Sequence, residues 1–139
     1  MIHNIRFREF IYEGENPEEL TQAILNIFPD AEIETEEAEG LMENKILILT
    51  GLIKKKRHTR AFMDRLLKSD QLSKLEEDLD CKMDEKGNLF LRLSKEDAVE
   101  DELKIVDSGD SIHLKIKIAA YPAKKEVAMK LIQDAIKQY

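Results

Sequence analysis

The residues best suited to chemistry form a basic run in the segment GLIKKKRHTRAFMDRLL, residues 51–67. Between residues 54 and 68, seven Lys and Arg side chains stand against a single acid, Asp64, so this stretch has a local net charge of +6. The whole chain carries −7, which leaves −13 on the remaining residues. Cations that are concentrated in this way attract a polyanion locally. The acidic total therefore does not exclude a partner such as nucleic acid.

The same run also has a purely structural interpretation. On a helix that begins near residue 57, a spacing of 100° per residue gathers the apolar side chains on one arc and the basic ones on the other. The predicted buried arc consists of Thr59, Phe62, Met63, Leu66 and Leu67. Basic residues on the opposite arc must face water whatever their function. A solvated helix face is thus the alternative to an anion-binding surface.

A second basic feature follows the strands that the sequence predicts. Cations and aromatic rings share the outward positions of three alternating segments: Arg6, Arg8, Phe10 and Tyr12; Phe90 and Arg92; and Lys115 and Lys117. If those strands are neighbours, one surface combines cations for phosphate with rings for base stacking, as in many single-strand RNA sites. Solubility and edge protection are the alternative reasons for such cations.

No catalytic motif is recognisable in the sequence. The histidines His3, His58 and His113 fall in different predicted elements, and no Ser or Cys stands in a nucleophile motif. The five glycines are scattered and form no phosphate-binding loop. Cys81 reads as a small, partly buried residue of a hairpin edge. We therefore predict a protein that is not an enzyme and that uses no cofactor.

The segment DAEIETEEAEGLME, residues 30–43, holds seven acids and no base. Glu residues spaced along a polar strand lack the ligand loop of a cation site, so no metal is predicted. Two roles remain open for residues 32–39. They either repel RNA from the wrong face, or dock on a basic partner protein or on the basic run of a second copy.

Length and composition predict a single domain that spans residues 1–139. The chain is 42% hydrophobic and 37% charged, with one cysteine, and 139 residues suffice for one core without disulfides. The N-terminal MIHNIRFREF lacks the apolar core of a signal peptide, and no apolar run approaches the length of a membrane span. We expect a soluble, cytoplasmic protein with no membrane partner.

The pattern of elements predicts an α+β fold with a largely antiparallel or mixed sheet and helices packed on it. A strand over 4–12 precedes a helix that Asn16 caps, and KILILTGLI, residues 45–53, reads as a central strand covered on both faces. The basic helix and a short helix over 69–79 follow. CKMDEKGNLFLRLS predicts a hairpin with its turn at Gly87, Ser94 caps a brief helix, and SIHLKIKIA precedes a last helix over 123–138.

Three segments in this order resemble a known family: GLIKKKRHTRAFMDRL, DEKGNLFLRLSKEDA and GDSIHLKIKIAAYPAKKE. The similarity is to an archaeal RNA-binding-domain family described as a predicted exosome subunit, and it runs over essentially the whole chain. Its most specific parts are GNLFLRL and IKIAAYPAKKE. The resemblance implies a ribosomal-protein-like α+β fold and RNA binding, and it supplies no catalytic motif.

These observations together predict a non-catalytic RNA-binding protein, an accessory factor of RNA processing or degradation. Its main contacts to phosphate are expected from Lys54, Lys55, Lys56, Arg57, Arg60, Arg65 and Lys68, with Lys115, Lys117, Lys124 and Lys125 as weaker candidates. The alternative function is a protein-interaction module that uses its basic and acidic patches for protein contacts. Proteins of an RNA-processing complex, or a second copy in a homodimer, are further expected partners.

Overall fold

Five antiparallel strands form one sheet in the computed structural model, which describes residues 1–40, 42 and 44–139. The order across the sheet is β2-β3-β1-β5-β4. The strands are β1 (Ile2–Ile11), β2 (Glu34–Glu39), β3 (Lys45–Ile53), β4 (Asn88–Ser94) and β5 (Ser111–Ile118). The helices are α1 (Pro17–Ile27), α2 (Lys56–Leu67), α3 (Leu72–Lys82), α4 (Lys95–Val99) and α5 (Lys125–Lys137). The predicted α+β class is confirmed.

Apolar side chains at alternate positions of β1 and β5 point to one side of the sheet and form the core with the helices. Ile5 and Phe7 on β1 and Leu114 and Ile116 on β5 are almost completely buried. The Phe7 ring stacks on Phe28, with 5.6 Å between the ring centroids, and Phe28 in turn meets Phe62 of α2. This aromatic stack fixes α2 to the buried side of the sheet.

The helix caps and the buried arc of α2 agree with those predicted from the sequence. The Asn16 side-chain oxygen accepts hydrogen bonds from the backbone N–H groups of Glu18 and Glu19, at 3.0 and 3.3 Å, and so caps α1. The Ser94 hydroxyl accepts from the Asp97 N–H at the start of α4. The buried residues of α2 are Thr59, Phe62, Met63, Leu66 and Leu67. The predicted arc of the basic helix is therefore confirmed.

β3 is covered on one face only, so the prediction of a strand buried on both faces is wrong. Leu49 and Ile53 are buried, whereas Ile46, Ile48 and Leu52 on the other face stay partly exposed. The strand lies next to the edge strand β2, and β1 takes the central place. Continuous hydrophobicity predicts two covered faces, but here one of those apolar faces is left open.

The predicted hairpin is also only partly correct. Its first half is the end of α3 and the residues that follow it, and the bridge from Met83 to Leu89 is the one pairing described between this segment and β4. The Asp84 carboxylate closes the turn by accepting from the backbone N–H groups of Lys86 and Asn88, at 2.9 and 2.8 Å. Because the helix continues through Cys81, that side chain is exposed rather than partly buried.

Two ionisable residues, Glu9 and Lys95, lie inside the structure. The Lys95 ammonium donates to the Phe10 carbonyl at 2.7 Å, to Asp110 at 2.7 Å and to Glu15 at 3.0 Å. Burial lowers the pKa of Lys95, but the hydrogen bonds to Asp110 and Glu15 outweigh that effect and raise it. Lys95 therefore stays charged and ties the end of β1 to α4 and to the loop before β5.

Glu9 occupies a core position of β1 and is 0% exposed, and its carboxyl oxygens have no hydrogen-bond partner in the described part of the chain. Burial raises the pKa of Glu9 from 4.5 to about 8, although the Lys95 charge partly opposes this shift. The protonated form therefore predominates at neutral pH. This carboxyl is held in a site where ionisation is unfavourable.

A Glu9→Gln variant should lose a specific part of the pH dependence of stability. Below the unfolded pKa of 4.5, Glu9 is protonated in both states. As pH rises towards about 8, the unfolded chain releases this proton while the folded chain keeps it, so the free energy of unfolding falls. The Gln side chain does not titrate, so the variant lacks this fall. The free energy of unfolding of the variant relative to wild type should therefore be greater at neutral pH than at acid pH, by roughly 3 kcal/mol.

Urea denaturation of wild type, Glu9→Gln and the control Glu13→Gln across this pH range measures the effect. Glu13 is exposed and follows the same strand, so its variant should keep the pH profile of wild type. Parallel profiles for Glu9→Gln and wild type would contradict the raised pKa.

Candidate nucleic-acid interface

The side of the sheet that faces away from the helices, which we call the open face, carries two rows of side chains in register across β3, β1, β5 and β4. The first row is Leu52, Arg6, Lys115 and Phe90. The second row is Thr50, Arg8, His113 and Arg92. Residues directly opposite one another on antiparallel strands project from the same face and interact. The strand neighbourhood that a combined surface requires is thus present.

Basic side chains face one another in both rows. Arg6 lies opposite Lys115, and His113 lies between Arg8 and Arg92. Burial lowers the pKa of His113, and the charges of Arg92 and Arg8 lower it further. Within the part of the chain that the structure describes, Arg6, Arg8, Arg92 and Lys115 make no ion pair with a carboxylate. The open face therefore holds concentrated positive charge, and these four cations are not neutralised by salt bridges among the described residues.

A groove of about 640 Å³ runs across the rows of the open face. Arg6 and Arg8 line one side and Phe90 and Arg92 the other, while the end of α3 and the following residues, 81–84, form a wall beyond β4. Phe90 is 45% exposed there. The groove therefore combines an accessible aromatic ring with cations, which is the chemistry of a nucleotide site.

Neighbouring groups fix several of these side chains. The Arg8 guanidinium lies 5.2 Å from the centre of the Phe10 ring, within the range of a cation–π contact. The Lys117 ammonium donates to the Lys86 carbonyl at 2.6 Å. Burial opposes ionisation of Asp84, but hydrogen bonds from Asn88 and Lys86 and the Lys115 charge outweigh it and lower its pKa. Asp84 is thus an ionised carboxylate at the rim of the groove.

The basic run of α2 forms a separate surface. Lys54, Lys55, Lys56, Arg57, Arg60 and Lys68 are exposed, and none of them makes an ion pair among the described residues. Because α2 packs on the buried side of the sheet, its basic arc faces away from the open face. Lys54 follows directly after Ile53, whose partner Ile5 adjoins Asn4, and Asn4 pairs with Lys117. Residues 54–56 therefore approach the end of the open face.

Three of the predicted contact residues lie elsewhere. The Arg65 guanidinium pairs with the Asp101 carboxylate at 3.2 Å and donates to the carbonyls of Asn26 and Asp101. Lys125 pairs with Asp80 at 3.3 Å, whereas Lys124 is exposed just before α5. Arg65 and Lys125 are already engaged in ion pairs with carboxylates of the same chain, so we leave them out of the candidate interface.

The phosphate contacts predicted from the sequence include only Lys115 and Lys117 from the sheet. They omit Arg6, Arg8, Arg92 and His113. The outward parity of Arg6, Arg8 and Arg92 was visible in the sequence, but their convergence depends on the strand order. His113 shares the parity of Lys115 and could have been found in the same way. Glu9 was missed too, although an acid at core parity between Phe7 and Ile11 is a recognisable signal.

The acidic edge strand β2 lies at the opposite border of the open face. Glu34 pairs with Thr50 and Glu36 with Ile48, so both carboxylates project from the open face beyond β3. The second row therefore runs from Arg92 through His113, Arg8 and Thr50 to Glu34. Positive charge over β1, β5 and β4 gives way to the apolar residues of β3 and then to carboxylates.

Over residues 1–40, 42 and 44–139, no group of three or more His, Cys, Asp or Glu side chains is placed to hold a metal ion. No helix in the same ranges is long and apolar enough to cross a membrane.

Comparison with known proteins identifies the family of this chain. A family model described as RNA binding matches residues 4–118, which is most of the chain. The chain belongs to this RNA-binding family. A relative from Pyrococcus abyssi that is named an RNA-binding protein is 36% identical over 95% of this chain and 92% of its own length.

Solved structures of relatives share the fold. A DUF54 protein from Methanothermobacter thermautotrophicus is 41% identical, and 98% of each chain superposes with a TM-score of 0.86. An Archaeoglobus fulgidus protein of the DUF54 family is 26% identical over 96% of this chain and 99% of its own, with a TM-score of 0.83. The family resemblance seen in the sequence and the α+β architecture are both confirmed.

Neutralising one cation of the open face should stabilise this RNA-binding-family protein. Like charges directly opposite each other on paired strands are destabilising, so Arg6→Gln should raise the free energy of unfolding by about 0.5 kcal/mol at low salt. High salt should abolish the gain by screening the repulsion. Urea denaturation at two salt concentrations measures both effects.

Lys45→Gln is the matched control, because Lys45 lies opposite the acidic Glu39 on β2 rather than opposite another cation. That variant should not gain stability at low salt. An Arg6→Gln protein that is no more stable than wild type would show that the open-face cations do not repel one another.

Proposed function

We propose that this chain is a non-catalytic RNA-binding protein that holds RNA chiefly through its phosphate backbone. The observation that carries the proposal is the group Arg6, Arg8, Arg92 and Lys115, which is gathered on three neighbouring strands of a face that no helix covers. The membership of an RNA-binding family and the name of the Pyrococcus abyssi relative support it.

The charge arrangement of the open face suits RNA because Arg6, Arg8, Arg92 and Lys115 form no ion pair with a carboxylate of the described residues. Bringing like charges together costs free energy in the unbound protein, and an array of phosphates would turn that repulsion into attraction. Phosphate contacts of this kind hold a nucleic acid in place but read little sequence. We therefore propose broad binding across RNA sequences.

The α2 run is proposed as a second phosphate-binding surface. Lys54, Lys55 and Lys56 approach the Lys117 end of the open face, and Arg57 and Arg60 continue onto the helix. A strand of RNA that leaves the open face at this end would meet these cations next. In this proposal the open face is the main site and the α2 run extends it.

The carboxylates of β2 are proposed to set the position of RNA on the open face. Glu34 and Glu36 project from the same face as the cations but lie across β3 from them. They would repel phosphates that stray from β1, β5 and β4. This is the orienting role that the sequence left open for the acidic segment.

We extend the proposal to an accessory role in RNA processing or degradation. The resemblance to a family described as a predicted exosome subunit supports this extension. A protein that binds RNA without cutting it would deliver or retain RNA for enzymes of such a complex. Long incubation with labelled RNA and divalent metal should therefore leave the RNA length unchanged.

Binding should weaken steeply with salt, and it should weaken in proportion to the cations removed. Each neutralised phosphate of a single strand contributes about −0.7 to the slope of log affinity against log salt, so four to six contacts give roughly −3 to −4. The triple variant Arg6→Gln, Arg8→Gln, Arg92→Gln should have a slope shallower by about 2. Fluorescence anisotropy with a labelled RNA at several salt concentrations gives both slopes.

Lys45→Gln, Lys130→Gln, Lys137→Gln is the matched control, because it removes the same charge from exposed lysines outside both basic surfaces. It should keep the slope of wild type.

A second variant, Lys54→Glu, Lys55→Glu, Lys56→Glu, Arg57→Glu, measures the contribution of α2. Equal affinity of wild type and both basic-surface variants would contradict the RNA-binding proposal, and self-association that only the α2 variant loses would favour the protein-interaction alternative.

The acidic border should limit RNA binding measurably. Removing two carboxylates from the open face, in Glu34→Gln, Glu36→Gln, should raise RNA affinity roughly threefold at low salt because the repulsion is lost. Glu37→Gln, Glu39→Gln removes the same charge from the other face of the same strand and should change affinity less. Equal gains for the two pairs would show that only net charge matters.

A further inference from the structure

We infer that the groove beside Phe90 is a nucleotide subsite for single-stranded RNA, in which a base stacks on the Phe90 ring and its phosphate lies on the row Arg8, His113 and Arg92. The inference rests on the proposed function and specifies its substrate. It assigns roles to Phe90 and His113, two residues of the open face that would bind a base and take up a proton rather than act as permanent charges.

Phe90 has the position of a stacking platform. It projects from β4 into the groove, is 45% exposed, and no other aromatic ring stacks on it in the described part of the chain. Its partner across the strand pair is Lys115, whose partner on the other side is Arg6. An exposed ring beside cations accepts any base, because every base offers a flat face to stack on.

The second row supplies three side chains with N–H donors, and its distance from Phe90 matches the distance between the base and the phosphate of a nucleotide. Arg8, His113 and Arg92 are direct neighbours across β1, β5 and β4. Phe90 and Arg92 lie on the same side of one strand, two residues and therefore about 7 Å apart. One nucleotide spans such a distance between its base and its phosphate. The Phe10 ring beneath the Arg8 guanidinium helps to hold this donor in place.

The shape of the groove favours a single strand over a duplex. Its volume of about 640 Å³ is that of a small-ligand pocket, and the wall of residues 81–84 closes it beyond β4. A base reaches the Phe90 ring only when it leaves the stack of its own strand. Paired bases in a duplex stay stacked inside the helix, whereas unpaired ones can be splayed onto aromatic side chains.

His113 couples this subsite to pH. The ring faces Arg8 on β1, Arg92 on β4 and Asp110 at the start of its own strand, and burial together with the two arginines lowers its pKa. The free protein therefore holds His113 neutral at neutral pH. A bound phosphate would compensate both arginines and favour the imidazolium, so binding should take up a proton and strengthen as the pH is lowered from neutral.

The stacking test compares Phe90→Ala with wild type for a labelled single-stranded oligouridylate and for an RNA duplex of equal length, by anisotropy. Loss of base stacking should weaken single-strand binding roughly tenfold and leave duplex binding nearly unchanged. Phe90→Tyr should keep most of the affinity. Tyr121→Ala is the control, because Tyr121 is 84% exposed but lies outside the groove.

The proton test follows single-strand affinity from neutral to mildly acid pH in wild type and His113→Gln. Wild type should bind several-fold more tightly at the acid end, while the variant, which cannot take up the proton, should respond much less. Alkylation of Cys81 gives a readout without mutation, because this exposed and only cysteine lines the groove. Saturating oligouridylate should slow its reaction with a maleimide.

The outcomes separate the subsite from the proposed function. Loss of binding in the triple arginine variant, with normal affinity in Phe90→Ala and His113→Gln and no protection of Cys81, would refute the subsite and keep RNA binding. Absence of RNA binding by wild type would refute both. A change of oligomeric state in Phe90→Ala, measured by light scattering, would instead identify the groove as a contact between copies of the chain and overturn the inference.

Discussion

The structure depends on one constraint: the helices that carry the core pack on a single face of an antiparallel sheet. Because side chains alternate along β1 and β5, each strand projects half of them to the buried side and half to the open face. The register aligns Arg6 with Lys115, and Arg8 with His113. The candidate interface is therefore the other half of the pattern that builds the core, and a one-residue slip of β5 would bury its lysines and expose its isoleucines.

Two buried ionisable side chains, Lys95 and Glu9, lie near the end of β1 on the buried side of the sheet. Lys95 donates to the Phe10 carbonyl and to two carboxylates, and so joins β1 to α4 and to the loop that leads into β5. Glu9 lies nearby without a hydrogen-bond partner among the described residues and is kept protonated by burial. β1 thus holds the protonated Glu9 on the buried side and the cations Arg6 and Arg8 on the open face.

Much of this was predictable from local sequence. The Asn16 cap, the buried arc of α2, and the alternation in β1 and β5 follow from short-range rules and are confirmed. Hydrophobicity alone could not tell that β3 has one uncovered face, because that depends on where every helix packs. Nor could it place Arg92 beside His113, since the neighbours β4 and β5 are joined through α4 and a loop rather than by a tight turn. Arg65 shows the same limit, because its partners Asn26 and Asp101 are distant in sequence.

An acidic protein can hold RNA because charge acts over a short range. At physiological ionic strength the screening length is about 8 Å, so a phosphate bound as proposed on the second row would interact with Arg8, His113 and Arg92 far more than with the acids elsewhere. Glu34 lies beyond Thr50 in that row, two strands from Arg8. It is close enough to repel a misplaced phosphate and too far to neutralise the arginine. The order of the strands therefore decides both the attraction and its boundary, whereas the net charge of the chain decides neither.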